Sequence, residues 1–351
     1  MKTKIFILLF AVVASIGTAT AALVDGLYYS LNRENKTAEV CYKSYSSSDS
    51  YNYNWHITSA NIPAHIEYEN ETYQVIGIED NAFRFCSDLA TVTIAEGVRS
   101  IGKYAFFGCR SLISIEIPNS VTTIGNEAFG RCDSMTVAKI GDGVVNIGSS
   151  AFSGCHKLTT VIIGNGVKNI GESAFNNCSV LTSLTLGNSV DSIGNSAFDY
   201  CYKLHAVNIP KSVSYIGNYA FARCQSMVSL ELPDANITFG KNAFFGCKGL
   251  KAIYNHAAIP QVLESDIFGG NWECYGVYKS SCILYVPAES IDLYKEANVW
   301  KDFSNIESLD KLEDLNNISL PNATSAKLLH NGQIYILRGE KVYTITGQVV
   351  K

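Results

Sequence analysis

The chain carries eleven cysteines and six histidines, the residue types that form disulfides, bind metals or attack substrates. Eight of the cysteines stand at one fixed interval: Cys86, Cys109, Cys132, Cys155, Cys178, Cys201, Cys224 and Cys247, each 23 residues after the last. A recurrence this regular implies a stack of equivalent turns, with equivalent side chains parallel and about 5 Å apart. A disulfide instead needs Cβ vectors that converge. The periodic cysteines therefore read as buried free thiols acting as small hydrophobes. A metal–thiolate stack is the alternative, but no C-x-x-C pair occurs, and one ligand per turn does not close a coordination sphere. Cys274 and Cys282 lie outside the interval and are the one pair that could bridge, with free thiols the competing reading, and Cys41 has no evident partner.

The other chemistry-bearing residues do not converge. His56, His65, His156, His205, His256 and His330 show no ligand spacing and read as surface residues. Acidic residues such as Glu116 and Glu231 fall singly, so no carboxylate pair for acid–base work is evident. There is no G-x-S-x-G elbow, no phosphate-binding glycine loop and no H-E-x-x-H motif. No enzyme activity, cofactor or metal is expected. At 47% hydrophobic and 17% charged residues, the chain is too apolar for a disordered one, and its net charge of −5 and lack of a basic block exclude a nucleic-acid footprint.

What positions the cysteines is a repeat. Each follows a phenylalanine by three residues: Phe83, Phe106, Phe129, Phe152, Phe175, Phe198, Phe221 and Phe244, every one preceded by alanine. Three residues beyond each cysteine stands Leu89, Leu112, Met135, Leu158, Leu181, Leu204, Met227 or Leu250. In the unit around Phe106, Ile115 and Ile117 are two apart and share one side of a short strand. Pro118, Asn119 and Ser120 turn the chain. Val121 and Ile124 start a second extended stretch, and Gly125 is expected to supply a backbone angle that other residues avoid. Residues 126–129 are expected to make one helical turn that plugs Phe129 inward. One such unit cannot bury these side chains alone, but stacked units can. The fold expected is a solenoid of about eight repeats with short parallel strands.

The order Ile101-Gly102, Ala105-Phe106, Cys109, Leu112, Ile115, Ile117-Pro118 and Val121 resembles the BspA-like leucine-rich repeat, over residues 73–255. Met135, Met227, Ala138 and Phe239 are mild departures. The resemblance implies a bacterial surface protein or adhesin. Residues 22–72, with two strands around a polar turn and a hairpin at 68–73, are similar to the family's N-terminal cap. Residues 256–308, with a strand at 282–287, a short helix at 290–297 and Trp300 packing back, are similar to its C-terminal cap.

Residues 1–21 combine a basic start, an apolar run at 5–16 and the small residues Ala19, Thr20 and Ala21, which reads as a secretory signal cleaved after Ala21. A membrane anchor is the alternative, but the run is shorter than the ~20 residues needed to span a bilayer. No other segment reads as a transmembrane span. Residues 309–351 form a polar linker followed by a β-hairpin. This tail resembles a shortened C-terminal sorting domain of the type IX secretion route, with a plain β-appendage as the alternative. The expected location is secreted or on the outer-membrane exterior of a Gram-negative bacterium.

The strand positions between the inward residues should form a solvent-facing ribbon: Thr91/Thr93, Ser114/Glu116, Val137/Lys139, Thr160/Ile162, Ser183/Thr185, Ala206/Asn208 and Ser229/Glu231. Glu116, Val137, Lys139, Thr160, Ile162, Thr185 and Asn208 are its candidate ligand-binding residues, with Val137 and Ile162 as apolar anchors. The partner expected is an extracellular or host-surface protein. A glycan is the alternative, suggested by Tyr42, Tyr45, Tyr51, Tyr53 and Trp55, which would otherwise serve as a cap. A purely structural envelope role is the third reading.

Overall fold

The computed structural model describes residues 22–41, 56–269 and 276–310, together with the backbone of Ala326–His330, Gln333–Arg338 and Lys341–Thr344. The signal segment, the tyrosine-rich loop, Cys274 and most of the linker lie outside the described residues.

The chain forms a β-solenoid in which each 23-residue rung lays three stretches of backbone against its neighbours. The front of each rung is a strand of three or four residues, such as Ser114–Ile117, Val137–Ile140 and Thr160–Ile163. These pair in parallel, with Ile115, Ala138 and Val161 in one inward column. The side is a two-residue strand, such as Thr123–Ile124, flanked in parallel by Ser100–Ile101 and Asn146–Ile147. Ile101, Ile124, Ile147, Ile170, Ile193 and Ile216 form its buried column.

The third face departs from the helical turn expected at residues 126–129. The Ala128 N–H reaches back to the Gly125 carbonyl and the Gly130 N–H to that of Glu127, which makes consecutive tight turns. Glu127 and Arg131, two residues either side of Phe129, are left-handed at φ 54° and 56°. The same pair of left-handed residues flanks every phenylalanine from Phe83 to Phe244. Alternate N–H groups are thereby turned toward the next rung: Glu127, Phe129 and Arg131 donate to the carbonyls of Ser149, Ala151 and Ser153 at 2.7–2.8 Å. A helical turn would keep those bonds within the rung. The inter-rung bonds offset the ~1–2 kcal/mol that a left-handed conformation costs a non-glycine residue.

Gly125 serves a different purpose from the one expected. None of the Ile-Gly glycines is left-handed. A Cβ on Gly125 would sit 2.6 Å from the Gly102 carbonyl carbon and the Lys103 nitrogen of the rung before. The glycine allows two backbones to touch.

The core is one continuous cluster. Phe83, Phe106, Phe129, Phe152, Phe175, Phe198, Phe221 and Phe244 are fully buried. Their rings stack at centroid distances of 4.9–5.6 Å with interplanar angles of 9° or less. Stacking adds about 0.5–1.5 kcal/mol per pair beyond area burial.

Both ends are closed by other structure. At the N-terminal end, Leu27–Asn32 and Thr37–Cys41 form an antiparallel pair, and the latter joins the parallel side ladder through Glu71–Ile78. His65–Tyr68 folds back on Glu71–Ile78 as the expected hairpin. Ser59–Ile62 already pairs in parallel with Thr91–Ile94, so the front ladder starts there. At the other end, Ile283–Val286 and Asn305–Ser308 extend the front ladder. Phe268 continues the ring column, 6.0 Å from Phe244, and the edges of Trp300 and Phe303 cover it. The helix Ile291–Glu296 locks this lid, with the Tyr294 hydroxyl donating to the Ala257 carbonyl at 2.9 Å and the Trp300 indole to that of Gln261 at 3.0 Å. In the tail, Ala326–His330, Gln333–Arg338 and Lys341–Thr344 form a three-stranded antiparallel sheet, one strand more than the expected hairpin.

Two substitutions measure these contacts. Phe152→Ala opens a hole in the ring column and is expected to cost about 3–5 kcal/mol in denaturant unfolding. Gly171→Ala would place its Cβ 2.7 Å from the Gly148 carbonyl carbon. It is expected to cost at least about 1–3 kcal/mol, although alanine normally favours ordered backbone over glycine.

Candidate functional site

The front strands turn alternate residues out to solvent, and parallel pairing aligns them into columns. Glu116, Lys139, Ile162 and Thr185 lie side by side in register, with Ser114, Val137, Thr160 and Ser183 as the parallel column. Six of the seven sequence-predicted residues thus share one four-stranded sheet. The seventh, Asn208, opens the next sheet, where it pairs in register with Glu231, and no strand pairing joins Thr185 to it. Ile162 is 40% exposed, while Val137 and Thr160 are half-buried between their neighbours. The Lys139 ammonium lies 3.9 Å from the Glu116 carboxylate, both well exposed. Such a pair contributes at most ~1 kcal/mol and is open to outside partners. The middle of the ribbon is therefore an isoleucine beside a loose ion pair and hydroxyl-bearing residues.

Farther along, the expected solvent-facing pair Ser229/Glu231 is not exposed. Ser229 is buried, and the Glu231 side chain retains 14% exposure, held by His256 Nε2 at 3.1 Å. The cause is the next rung, which carries Tyr254 opposite Glu231 and stacks it on Tyr285 at 5.2 Å. The open ribbon ends where these rings begin.

The thiols have a use beyond filling space. Each from Cys109 to Cys247 donates its S–H to the carbonyl of the phenylalanine one rung earlier, at 3.1–3.5 Å. Alanine would leave that second lone pair empty. The ten described cysteines are all free and buried. Among the described residues, no group of three His, Cys, Asp or Glu side chains could hold a metal. Burial raises the thiols of Cys109, Cys132, Cys178, Cys201 and Cys224 well above their ordinary range, and those of Cys41, Cys86 and Cys282 to about 12.

The turn face holds an arrangement that sequence reasoning missed. Near one end, the Arg84 guanidinium lies 4.7 Å from the Tyr104 ring centre, 5.1 Å from Phe85 and 5.7 Å from Phe107. Near the other, Arg223 lies 4.4 Å from Tyr200, 5.6 Å from Phe245 and 6.0 Å from Tyr219, and donates to both oxygens of Asp199 at 2.8 Å. Burial pushes the Asp199 carboxyl above its ordinary range even against this arginine. The signal in the sequence was the pair of positions after each phenylalanine. Gly130, Ser153 and Asn176 keep the first of these small and uncharged, whereas Arg84, Phe107 and Asp199 place a charge or a ring there.

Continuous stacking, three parallel ladders and an outward-facing strand surface define a leucine-rich-repeat solenoid. The BspA type leucine rich repeat region matches residues 45–182 and 122–251 in six copies, more than half of the chain. The protein belongs to the BspA-type leucine-rich repeat family. It is similar to a leucine-rich repeat protein from Bacteroides ovatus, at 25% identity over 82% of this chain and 76% of that one, with a TM-score of 0.56. Likeness extends to the leucine rich repeat protein of T. pallidum, at 26% identity over 64% and 87% of the two chains, with a TM-score of 0.47. It also extends to a leucine rich cell surface protein from Faecalibacterium prausnitzii, at 21% identity over 86% and 98%, with a TM-score of 0.35. No curated protein matches. Among the described residues, no helix is long and apolar enough to cross a membrane.

The raised thiols give stability a pH dependence of definite sign. Below about pH 8.5 the thiols are protonated in both states, and the stabilisation is fully present. Above it the unfolded chain loses protons that the folded chain keeps, so stability falls with pH, by up to about 1.4 kcal/mol per unit per thiol, until the folded value is reached. For Cys86 that window closes near pH 12. Urea unfolding at pH 8 and pH 10 is expected to show this loss, and Cys86→Ala to reduce the slope by one thiol's share.

Proposed function

We propose that this chain is exported and works as a non-catalytic binding protein on the cell exterior, presenting its front ribbon to a protein on a host or neighbouring cell. Export rests on the basic start, the apolar run at 5–16 and the small residues ending at Ala21. A location on the outer-membrane exterior of a Gram-negative bacterium rests on the tail's likeness to a type IX sorting domain.

The observation that carries the binding reading is the register of Glu116, Lys139, Ile162 and Thr185. These strands cannot shift without breaking all three ladders, so an exposed apolar side chain and two charges are held at fixed spacings before any partner arrives. Preorganisation of this kind lowers the entropy cost of binding. An exposed isoleucine ringed by polar side chains is the pattern of an interface anchor.

The test is a binding screen of the full mature chain against extracellular-matrix proteins and whole cells. Saturable binding is expected, and Ile162→Glu is expected to weaken it by about 1–3 kcal/mol without moving the unfolding midpoint. Asn146→Asp, on the side ladder, is expected to leave it unchanged. Equal affinity of the Ile162→Glu and parent proteins would sink the ribbon assignment.

A further inference from the structure

The two arginine nests on the turn face differ in one respect. Arg223 has its counter-charge built in: Asp199 is 5% exposed and meets the guanidinium through both oxygens. Arg84 sits among three rings in the same way, but its hydrogen bond goes to a neutral acceptor, Asn81 Oδ1, at 3.2 Å. Its Nε is buried with no partner. None of the ion pairs among the described residues includes Arg84. The Tyr104 hydroxyl donates to the Glu127 carboxylate, which leaves one negative charge beside the nest. Two more cations flank the nest, Lys103 at 4.9 Å from the Tyr104 ring and Arg131 at 5.8 Å from Phe107. Three cations thus outnumber the nearby carboxylates of Glu127 and Asp80, the latter held by the Lys103 N–H at 2.6 Å, in a chain of net charge −5.

We infer that the Arg84 nest is a binding site for a carboxylate brought from outside, the acid group of an acidic glycan such as a uronate or sialate chain. The second nest is the template, since it shows which group completes a guanidinium in this setting. Arginine takes carboxylates with two parallel hydrogen bonds, and the flanking cations extend the site to neighbouring acid groups. The surroundings favour a sugar over an acidic peptide. Backbone groups at this surface are already paired between rungs, as in Phe83 to Ala105, Phe85 to Phe107 and Gly108 to Gly130, so an extended peptide would find no main-chain partners there. What remains on offer is half-buried aromatic surface beside cations, which suits the C–H faces and acid groups of a charged sugar. The site is separate from the front ribbon, and neither reading depends on the other.

The test uses the full mature chain against immobilised polygalacturonate, hyaluronan and a sialylated oligosaccharide, each beside its carboxyl-reduced form, with polyglutamate as the peptide arm. The parent is expected to bind at least one acid form, to lose at least about tenfold on carboxyl reduction, and to lose as much in Arg84→Gln. Arg84→Lys is expected to recover part of the loss. Asp199→Asn, which strips the second nest of its counter-charge, is expected to add a second equivalent of bound sugar. Circular dichroism melts confirm folding of each variant. The inference is overturned by a folded parent that binds no acid form, by equal binding of the reduced forms, by an unchanged Arg84→Gln protein, or by Arg84-dependent binding of polyglutamate alone. An Asp199→Asn protein that folds and gains no site overturns the template.

Discussion

One spacing governs the molecule. Parallel backbone ladders hold successive rungs about 4.8 Å apart, and parallel aromatic rings stack favourably at nearly that distance. The phenylalanine column, with centroids 4.9–5.2 Å apart through Phe221, meets both requirements at once. Widening to 5.6 Å at Phe244 and 6.0 Å at Phe268 marks where the repeat gives way to the cap, and the edges of Trp300 and Phe303 end the column. Glycine columns, thiol-to-carbonyl bonds and left-handed turns are the local adjustments that let every other backbone group keep the same step.

Much of this is legible in the sequence because periodicity reports directly on what stacks on what. The interval between Phe83 and Phe106 identifies the repeat, and the alternation of Ile115, Glu116 and Ile117 places one residue outward between two inward ones. The six ribbon residues from Glu116 to Thr185 follow from that alternation alone. Contacts between rungs are harder to read. Gly125 looks like a residue chosen for its backbone angle, and only the neighbouring rung reveals a residue chosen for having no Cβ. Residues 126–129 have helix-compatible composition, yet bonding to the next rung outweighs bonding within their own. Glu231 sits at an outward position by pattern and is covered by a tyrosine one rung later. The Arg84 and Arg223 nests join residues on three successive rungs at positions the repeat leaves free, so the sequence marks them only by the charged and aromatic residues that stand after certain phenylalanines.

The faces divide the work unevenly. The inward positions tolerate little variation, since each residue touches two copies of itself. The outward front positions and the two positions after each phenylalanine carry different residues from rung to rung: Glu116, Lys139, Ile162 and Thr185 on one surface, Arg84, Phe107, Ser153 and Asp199 on the other. Recognition chemistry collects where the scaffold sets no requirement, and the scaffold presents it rigidly.

The absence of any insertion across eight rungs has an evolutionary consequence. A gain or loss of a whole number of 23-residue units leaves the register of every remaining rung intact. Every junction so formed still brings a phenylalanine, a thiol and an Ile-Gly step into register with the next. The reach of the molecule is therefore a heritable variable that changes in discrete increments of about 4.8 Å, with the terminal structures carried along unchanged.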